Sequence, residues 1–198
     1  VCYGTTTKLV SRKHHVYKSF QPLAAEITVA LRGRCAIIDG EIVCLDSSGK
    51  PRFYDVLYRR GDPVFIAFDI LQLGNQNMRE LPLIERKRLL RSLIPAGSRI
   101  LYADHIERFG VRFYDEICRR DLEGIIAKWK YGPYVTGDHQ PAHRSLTRHL
   151  NAPELLARFS WLKIQNPKYS QIEGRSELFD RKFRGKSVAA EHGRRSVS

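Results

Sequence analysis

Two apolar runs constrain this chain most. Cys35 to Leu45 and Val64 to Leu73 are rich in β-branched and apolar residues, and turn signals flank them, Ser47-Ser48-Gly49-Lys50-Pro51 after the first and Gly61-Asp62-Pro63 before the second. Each therefore reads as a strand. The first carries acids in its middle, in Asp39-Gly40-Glu41. Residues two apart leave the same face of a strand, so Asp39 and Glu41 share one side while Ile38 and Ile42 take the other. Two carboxylates on one face are costly if dry, and they call for a cation, a metal, a sugar hydroxyl or open water. Gly40 between them marks a close backbone approach or a bulge.

Along the rest of the chain the apolar period switches repeatedly between two and about 3.6. Lys8 to Arg12 reads as a short strand, and Leu23, Ile27 and Leu31 form one face of a helix. Pro82 to Leu93 reads as a helix with Pro near its first turn and with Arg86, Lys87, Arg88 and Arg91 on the solvated side. Ile100 to Ile106 is a predicted strand, Val111 to Arg120 a helix, Glu123 to Lys130 a strand and Ser160 to Gln165 a last short strand. Tyr131 to Pro153, rich in Gly, Pro, His and Thr, reads as a long functional loop. The residues from about Arg181 read as a disordered basic tail. Strands outnumber helices without strict alternation, which predicts an α+β fold with mixed, mostly antiparallel sheets and packed helices. No Gly-rich phosphate loop of the Rossmann or Walker kind is present, so any phosphate must be held by side-chain cations.

A chain of 198 residues with 42% hydrophobic content supports one substantial core. Its formal charge of +13 attracts polyanions, nucleic acid above all. No apolar run approaches the roughly 20 residues of a membrane span, and no leader is visible, so a soluble, cytoplasmic protein is expected. Cys2, Cys35, Cys44 and Cys118 lack metal-ligand spacing and read as buried thiols of a reducing compartment. His139, His143 and His149 beside Asp138 do not match a helix-borne zinc motif.

Four segments carry chemistry in a fixed order: Asp39-Gly40-Glu41-Ile42-Val43, Phe68-Asp69-Ile70-Leu71, Glu123-Gly124-Ile125-Ile126-Ala127-Lys128 and Trp161-Leu162-Lys163-Ile164-Gln165. They supply acid, aromatic, acid and base. An aromatic such as Phe68 in mid-strand is usually core, and a carboxylate such as Glu123 is often only a solvated strand start. Lys163 shares a face with Trp161 and Gln165 and must lead its ammonium to an anion or to water. Lys128, Lys130 and Arg12 are further cations at strand ends.

Taken together, the series resembles the nucleotidyltransferase motifs of ATP-dependent DNA ligases of the bacterial repair and end-joining type. Asp39 to Val43 resembles the third motif, Phe68 to Leu71 the aromatic segment after it, Glu123 to Lys128 the fourth motif and Trp161 to Gln165 the fifth. Lys8 to Arg12 is similar to the strand with a Ser-Arg pair that follows the nucleophile. The likeness covers roughly residues 1 to 179, as an adenylation domain, with 180 to 198 as the basic tail. It implies ATP and Mg²⁺ as cofactors, with nicked or broken double-stranded DNA as the partner of a monomeric, nucleoid-associated enzyme. The reaction implied is attack of a lysine on the α-phosphate of ATP, transfer of AMP to a DNA 5′-phosphate, and closure by the 3′-hydroxyl. Phe68 would stack on adenine, and Glu41 would bind the ribose or support the metal. Glu123 would hold the divalent ion, Lys163 would neutralise the α-phosphate, Lys128 would join the nucleotide-binding cations, and Arg12 would contact the nucleotide or the DNA backbone. These are positioning and electrostatic roles.

Two departures qualify what the resemblance implies. The nucleophile belongs to a Lys-Xaa-Asp-Gly motif, yet the Asp-Gly at Asp39-Gly40 follows Ile37-Ile38, and no lysine fits. The spacing to Ser11-Arg12 places that motif just before Val1, so the chain reads as N-terminally truncated and inactive as it stands. In the fifth motif Gln165 stands where a second lysine is usual, and no OB-fold domain follows. Two alternatives remain open: a non-enzymatic nucleic-acid-binding remnant, and an RNA ligase or capping-type nucleotidyltransferase with the same motif order.

Overall fold

The computed structural model describes residues 1–135 and 161–172. The elements are β1 (Cys2–Tyr3), α1 (Gln21–Ala30), β2 (Cys35–Cys44), α2 (Phe53–Tyr58), β3 (Pro63–Leu73), β4 (Gln76–Asn77), α3 (Leu83–Leu93), β5 (Ile100–Tyr102), α4 (Gly110–Arg119), β6 (Gly124–Lys128) and β7 (Trp161–Gln165). A five-stranded sheet runs β1-β2-β3-β4 with β5 also on β3, and β6 and β7 make a two-stranded sheet. The pairs β1-β2, β2-β3 and β3-β4 are antiparallel and β3-β5 is parallel, the mixed α+β arrangement expected. The described residues divide into two compact units, 1–110 with 126–135 and 161–164, and 111–125 with 165–172.

In the first unit the core forms where helical and strand periods coincide. Leu23, Ile27 and Leu31, the predicted face of α1, are 1%, 4% and 1% exposed and pack with Ala67 and Ile70 of β3, Leu90 and Leu93 of α3, and Ile100. Burying such side chains is worth about 1.5–3 kcal/mol each, which seats both helices on the sheet. Pro22 in the first turn of α1 meets the helix where a missing N–H costs nothing. The turn after β2 is an Asx turn, with Asp46 Oδ1 accepting from the backbone N–H groups of Ser48 and Lys50.

The second unit has its own ties. The Tyr114 hydroxyl on α4 donates to the Gln165 carbonyl at 2.8 Å, and the Asn166 side chain donates to the Leu122 carbonyl at 3.0 Å. Ser170 donates to both carboxylate oxygens of Asp121. Tyr169 is buried.

Several expectations need correction. Lys8 to Arg12 is not a strand: a single bridge, Val10 to Val16, closes a turn in which His14 takes a φ of 59°. On α3, Arg88 and Arg91 face solvent, but Arg86 and Lys87 are 2% and 7% exposed. Positions 83, 86, 90 and 93 lie on one helical face, so Arg86 is drawn in with the leucines and must find an anion there. Cys2 and Cys44 are buried, whereas Cys35 is exposed and Cys118 partly so. The strand from Ile100 ends at Tyr102. Most of the long loop, with His139, His143 and His149, and the tail from Arg181 lie outside the described residues. Among the described residues no helix is long and apolar enough to cross a membrane.

Candidate nucleotide site

The site is built by two irregularities in the β2-β3 pair. Ile37 faces Gln72 and Ile38 faces Ile70; then Asp39 faces Asp69 and Gly40 faces Ala67. Leu71 and Phe68 are thus extra residues on β3, with no counterpart on β2. Their effect is visible in the core, which takes Phe65, Ala67, Ile70 and Leu73, spaced by two and then by three. Strict alternation from Ala67 would have aimed Asp69 and Leu71 into the apolar side. The bulges instead release Phe68 from the ladder and turn Asp69 away from the apolar side.

Gly40 makes the second of these shifts, the one that frees Phe68, sterically possible. A Cβ there would lie 2.5 Å from the Ile66 carbonyl oxygen and 2.5 Å from Cζ of the Phe65 ring. Any side chain would push β2 and β3 apart at the point where Phe68 emerges.

Asp39 and Asp69 then face each other across the ladder, an arrangement that repels unless each charge is matched. Asp69, 1% exposed, is matched by Arg86: Nε donates to Oδ1 at 2.8 Å and Nη2 to Oδ2 at 3.0 Å. The remaining Arg86 nitrogen donates to the carbonyls of Leu81 and Gly132, so the buried guanidinium is held in a fixed fork. Asp39 accepts from the Tyr134 hydroxyl at 2.8 Å. Burial and the adjacent Asp39 carboxylate push that phenol well above its ordinary pKa.

Lys128, at the end of β6, completes the cluster. Its Nζ lies 4.5 Å from the centroid of the Phe68 ring, a cation–π contact. Burial lowers the pKa of this ammonium, Asp69 and Asp39 oppose that shift, and Arg86 adds to it. Lys87 of α3 donates to the Ala103 carbonyl at 2.7 Å and lies over the Tyr102 ring at 4.6 Å. Burial and the repulsion of Lys128 lower its pKa as well.

Of the residues singled out from the sequence, Phe68 and Lys128 are thus brought together beside Asp39. Glu41 is exposed and lies on the same face of β2 as Asp39, in register with Ile66. Lys163 is exposed on β7. Arg12 is exposed in the turn before Val16 and makes no ion pair among the described residues. Glu123 belongs to the second unit, where its carbonyl accepts from the backbone N–H of Asn166 at 2.8 Å. Gln165 is exposed, its backbone fixed by Tyr114. Sequence reading missed Arg86 and Tyr134, whose carboxylate partners lie 17 and 95 positions away. The signal for Arg86 was present, since it falls on the leucine face of α3; Tyr134 gave none.

Comparison with known proteins gives a consistent result. A family model described as ATP dependent DNA ligase domain matches residues 2–143. The multifunctional non-homologous end joining protein LigD of Mycolicibacterium smegmatis is 32% identical over 132 residues, covering 65% of this chain and 16% of that protein. DNA ligase 2 of Methanosarcina acetivorans is 28% identical over 156 residues, covering 68% of this chain and 28% of that protein. The chain thus spans well under half the length of these relatives. Among solved structures, the ligase domain of M. tuberculosis LigD superposes with a TM-score of 0.60 at 25% identity, covering 80% of this chain and 46% of that one. A mycobacterial DNA ligase D complexed with ATP and MES shares the fold, with a TM-score of 0.59 at 24% identity, covering 83% of this chain and 52% of that one.

Proposed function

Because this chain belongs to the family of ATP-dependent DNA ligase domains, we propose that it is the nucleotide-holding part of a ligase that uses ATP and Mg²⁺ to join nicked or broken double-stranded DNA. Residues 1 to 179 form the adenylation domain in this reading, 180 to 198 a basic tail, and the protein acts as a monomer in the cytoplasm on nucleoid DNA. The observation that carries the proposal is the bulge that frees Phe68 beside an ammonium and a carboxylate. A half-buried ring with a cation 4.5 Å from its centroid offers a face for a purine, and the cation is already in place for the phosphates.

Each residue then has a definite task. Phe68 stacks on the adenine, which takes over the ring face from Lys128 and releases that ammonium toward phosphate. Glu41 accepts from a ribose hydroxyl or meets the metal. Lys163 neutralises charge on the α-phosphate, and Arg12 contacts the nucleotide or the DNA backbone. Asp39, Asp69, Arg86 and Tyr134 do not touch the nucleotide in this scheme; they hold the two strands and Lys128 in position. Among the described residues no group of three or more His, Cys, Asp or Glu gathers as a metal cage. Mg²⁺ takes one or two carboxylates and leaves the rest of its shell to phosphate and water. Glu41 is the proposed carboxylate on β2, and Glu123 keeps the role that its motif implies. The metal when bound would offset phosphate charge.

Calorimetric titration with a non-hydrolysable ATP analogue and Mg²⁺ tests the proposal. Binding is expected to favour the adenine over the guanine analogue and to weaken in Lys163→Ala and Glu41→Gln. Equal affinity for both analogues, untouched by either substitution, would contradict it.

A further inference from the structure

A second surface, on α2, has a composition that neither the core nor the nucleotide site uses. Tyr54 and Tyr58, four apart on this helix, stack with ring centroids 6.3 Å apart and planes 12° from parallel. They are 37% and 48% exposed, so much of their apolar area is left in water. The Arg60 guanidinium lies 5.3 Å from the Tyr58 centroid. Just past the helix, Arg59 takes a left-handed φ of 57°, which turns the chain sharply and sets two arginines side by side at the helix end.

These arginines also line a cavity of about 200 Å³ with Arg99, Phe20, Asp55 and Asp62. Its charges are not equally engaged. Arg99 is held by Glu26 at 3.0 Å, Asp62 at 3.4 Å and the Pro63 carbonyl at 3.1 Å, and Asp55 is matched by Arg52 at 3.6 Å. Arg59 and Arg60 make no ion pair among the described residues, and both are exposed. An aromatic pair with two guanidiniums at its end that carry no ion pair among the described residues is the combination that holds single strands: rings take bases, cations take phosphates, and no sequence is read. The overall charge of +13 favours the same partner.

We infer that the α2 face binds a single-stranded segment of DNA, its bases against Tyr54 and Tyr58 and a phosphate against Arg59 and Arg60. The ligase reading enters only in naming DNA as the source of the strand.

The test is fluorescence anisotropy with a labelled, 5′-phosphorylated oligothymidylate. Tyr58→Ala and Arg60→Ala are each expected to weaken binding about fivefold or more, the scale of one lost stacking contact. Tyr58→Phe keeps the ring and is expected to bind like the parent, which separates stacking from a folding defect. Arg88→Ala removes the same charge from the exposed side of α3 and is expected to change binding less than about twofold. The inference is overturned if Tyr58→Ala binds like the parent, if Tyr58→Phe loses as much as Tyr58→Ala, if Arg88→Ala loses as much as Arg60→Ala, or if oligouridylate binds more tightly than oligothymidylate. Titrating the same variants with the ATP analogue separates the two readings. Loss of strand binding with intact nucleotide binding leaves the nucleotide site standing, and failure of the parent to bind nucleotide leaves the α2 result intact.

Discussion

At the scale of single residues, Gly40 and Lys128 make the most definite predictions. Gly40→Ala places a methyl group within 2.5 Å of a backbone oxygen and an aromatic carbon. Overpacking of this kind costs about 1–3 kcal/mol, so the urea midpoint should fall with the slope unchanged. Lys128 has its pKa lowered by burial, so between its folded value and its ordinary value of 10.5 the unfolded chain binds more protons than the folded one. Stability contributed by this group therefore rises as pH climbs through that window and is lost as pH falls below it. Measured by urea unfolding from neutral pH to about the ordinary lysine pKa, the parent should gain stability relative to Lys128→Met. A constant difference across the range would remove the buried ammonium from the account. Gly40 was legible in the sequence, since a glycine between two acids in an apolar strand marks a bulge or a close approach, and it does both. The facing of Phe68 was not legible, because an inserted residue in one strand is defined only by its partner's register.

At the scale of elements, α3 shows how a charge run can mislead. Four basic residues read as one wet face, yet the helical period carries Arg86 inward with Leu83, Leu90 and Leu93. What makes this tolerable is Asp69, turned toward it by the bulges in β3. Removing one member of a buried pair strands the other, at a cost of about 3–5 kcal/mol. Arg86→Met should show a loss of this size by chemical denaturation, whereas Arg88→Ala, on the exposed side, should change stability by less than about 0.5 kcal/mol. Similar losses in the two would mean that the ion pair does not fix α3 to the sheet. The short helix α2 escaped sequence reading for another reason: six residues give less than two turns, too few to establish a period. The long strands were legible because runs of β-branched and apolar residues lie between turn signals, and α1 because Leu23, Ile27 and Leu31 recur at the helical spacing.

For the whole molecule, charge and family point the same way. A formal charge of +13 on 198 residues should make binding to nicked duplex DNA fall linearly on a log–log plot against salt, the signature of counterion release. Affinity insensitive to salt would indicate that the basic surface does not meet the phosphates. The order of the four motif segments made the family legible before any fold was known, because the chemistry of holding a nucleotide needs acid, aromatic, acid and base at separate strands. Their mutual geometry was not legible, because it depends on pairings between distant segments such as Tyr134 with Asp39. The most direct measurement is calorimetric titration of the Mg²⁺-bound ATP analogue into the parent, Phe68→Tyr and Phe68→Ala. Retained affinity in the tyrosine variant and a loss of about fivefold or more in the alanine variant are predicted, as for one lost stacking contact. Equal affinity in all three would contradict the assignment of Phe68 as the ring on which the nucleotide rests.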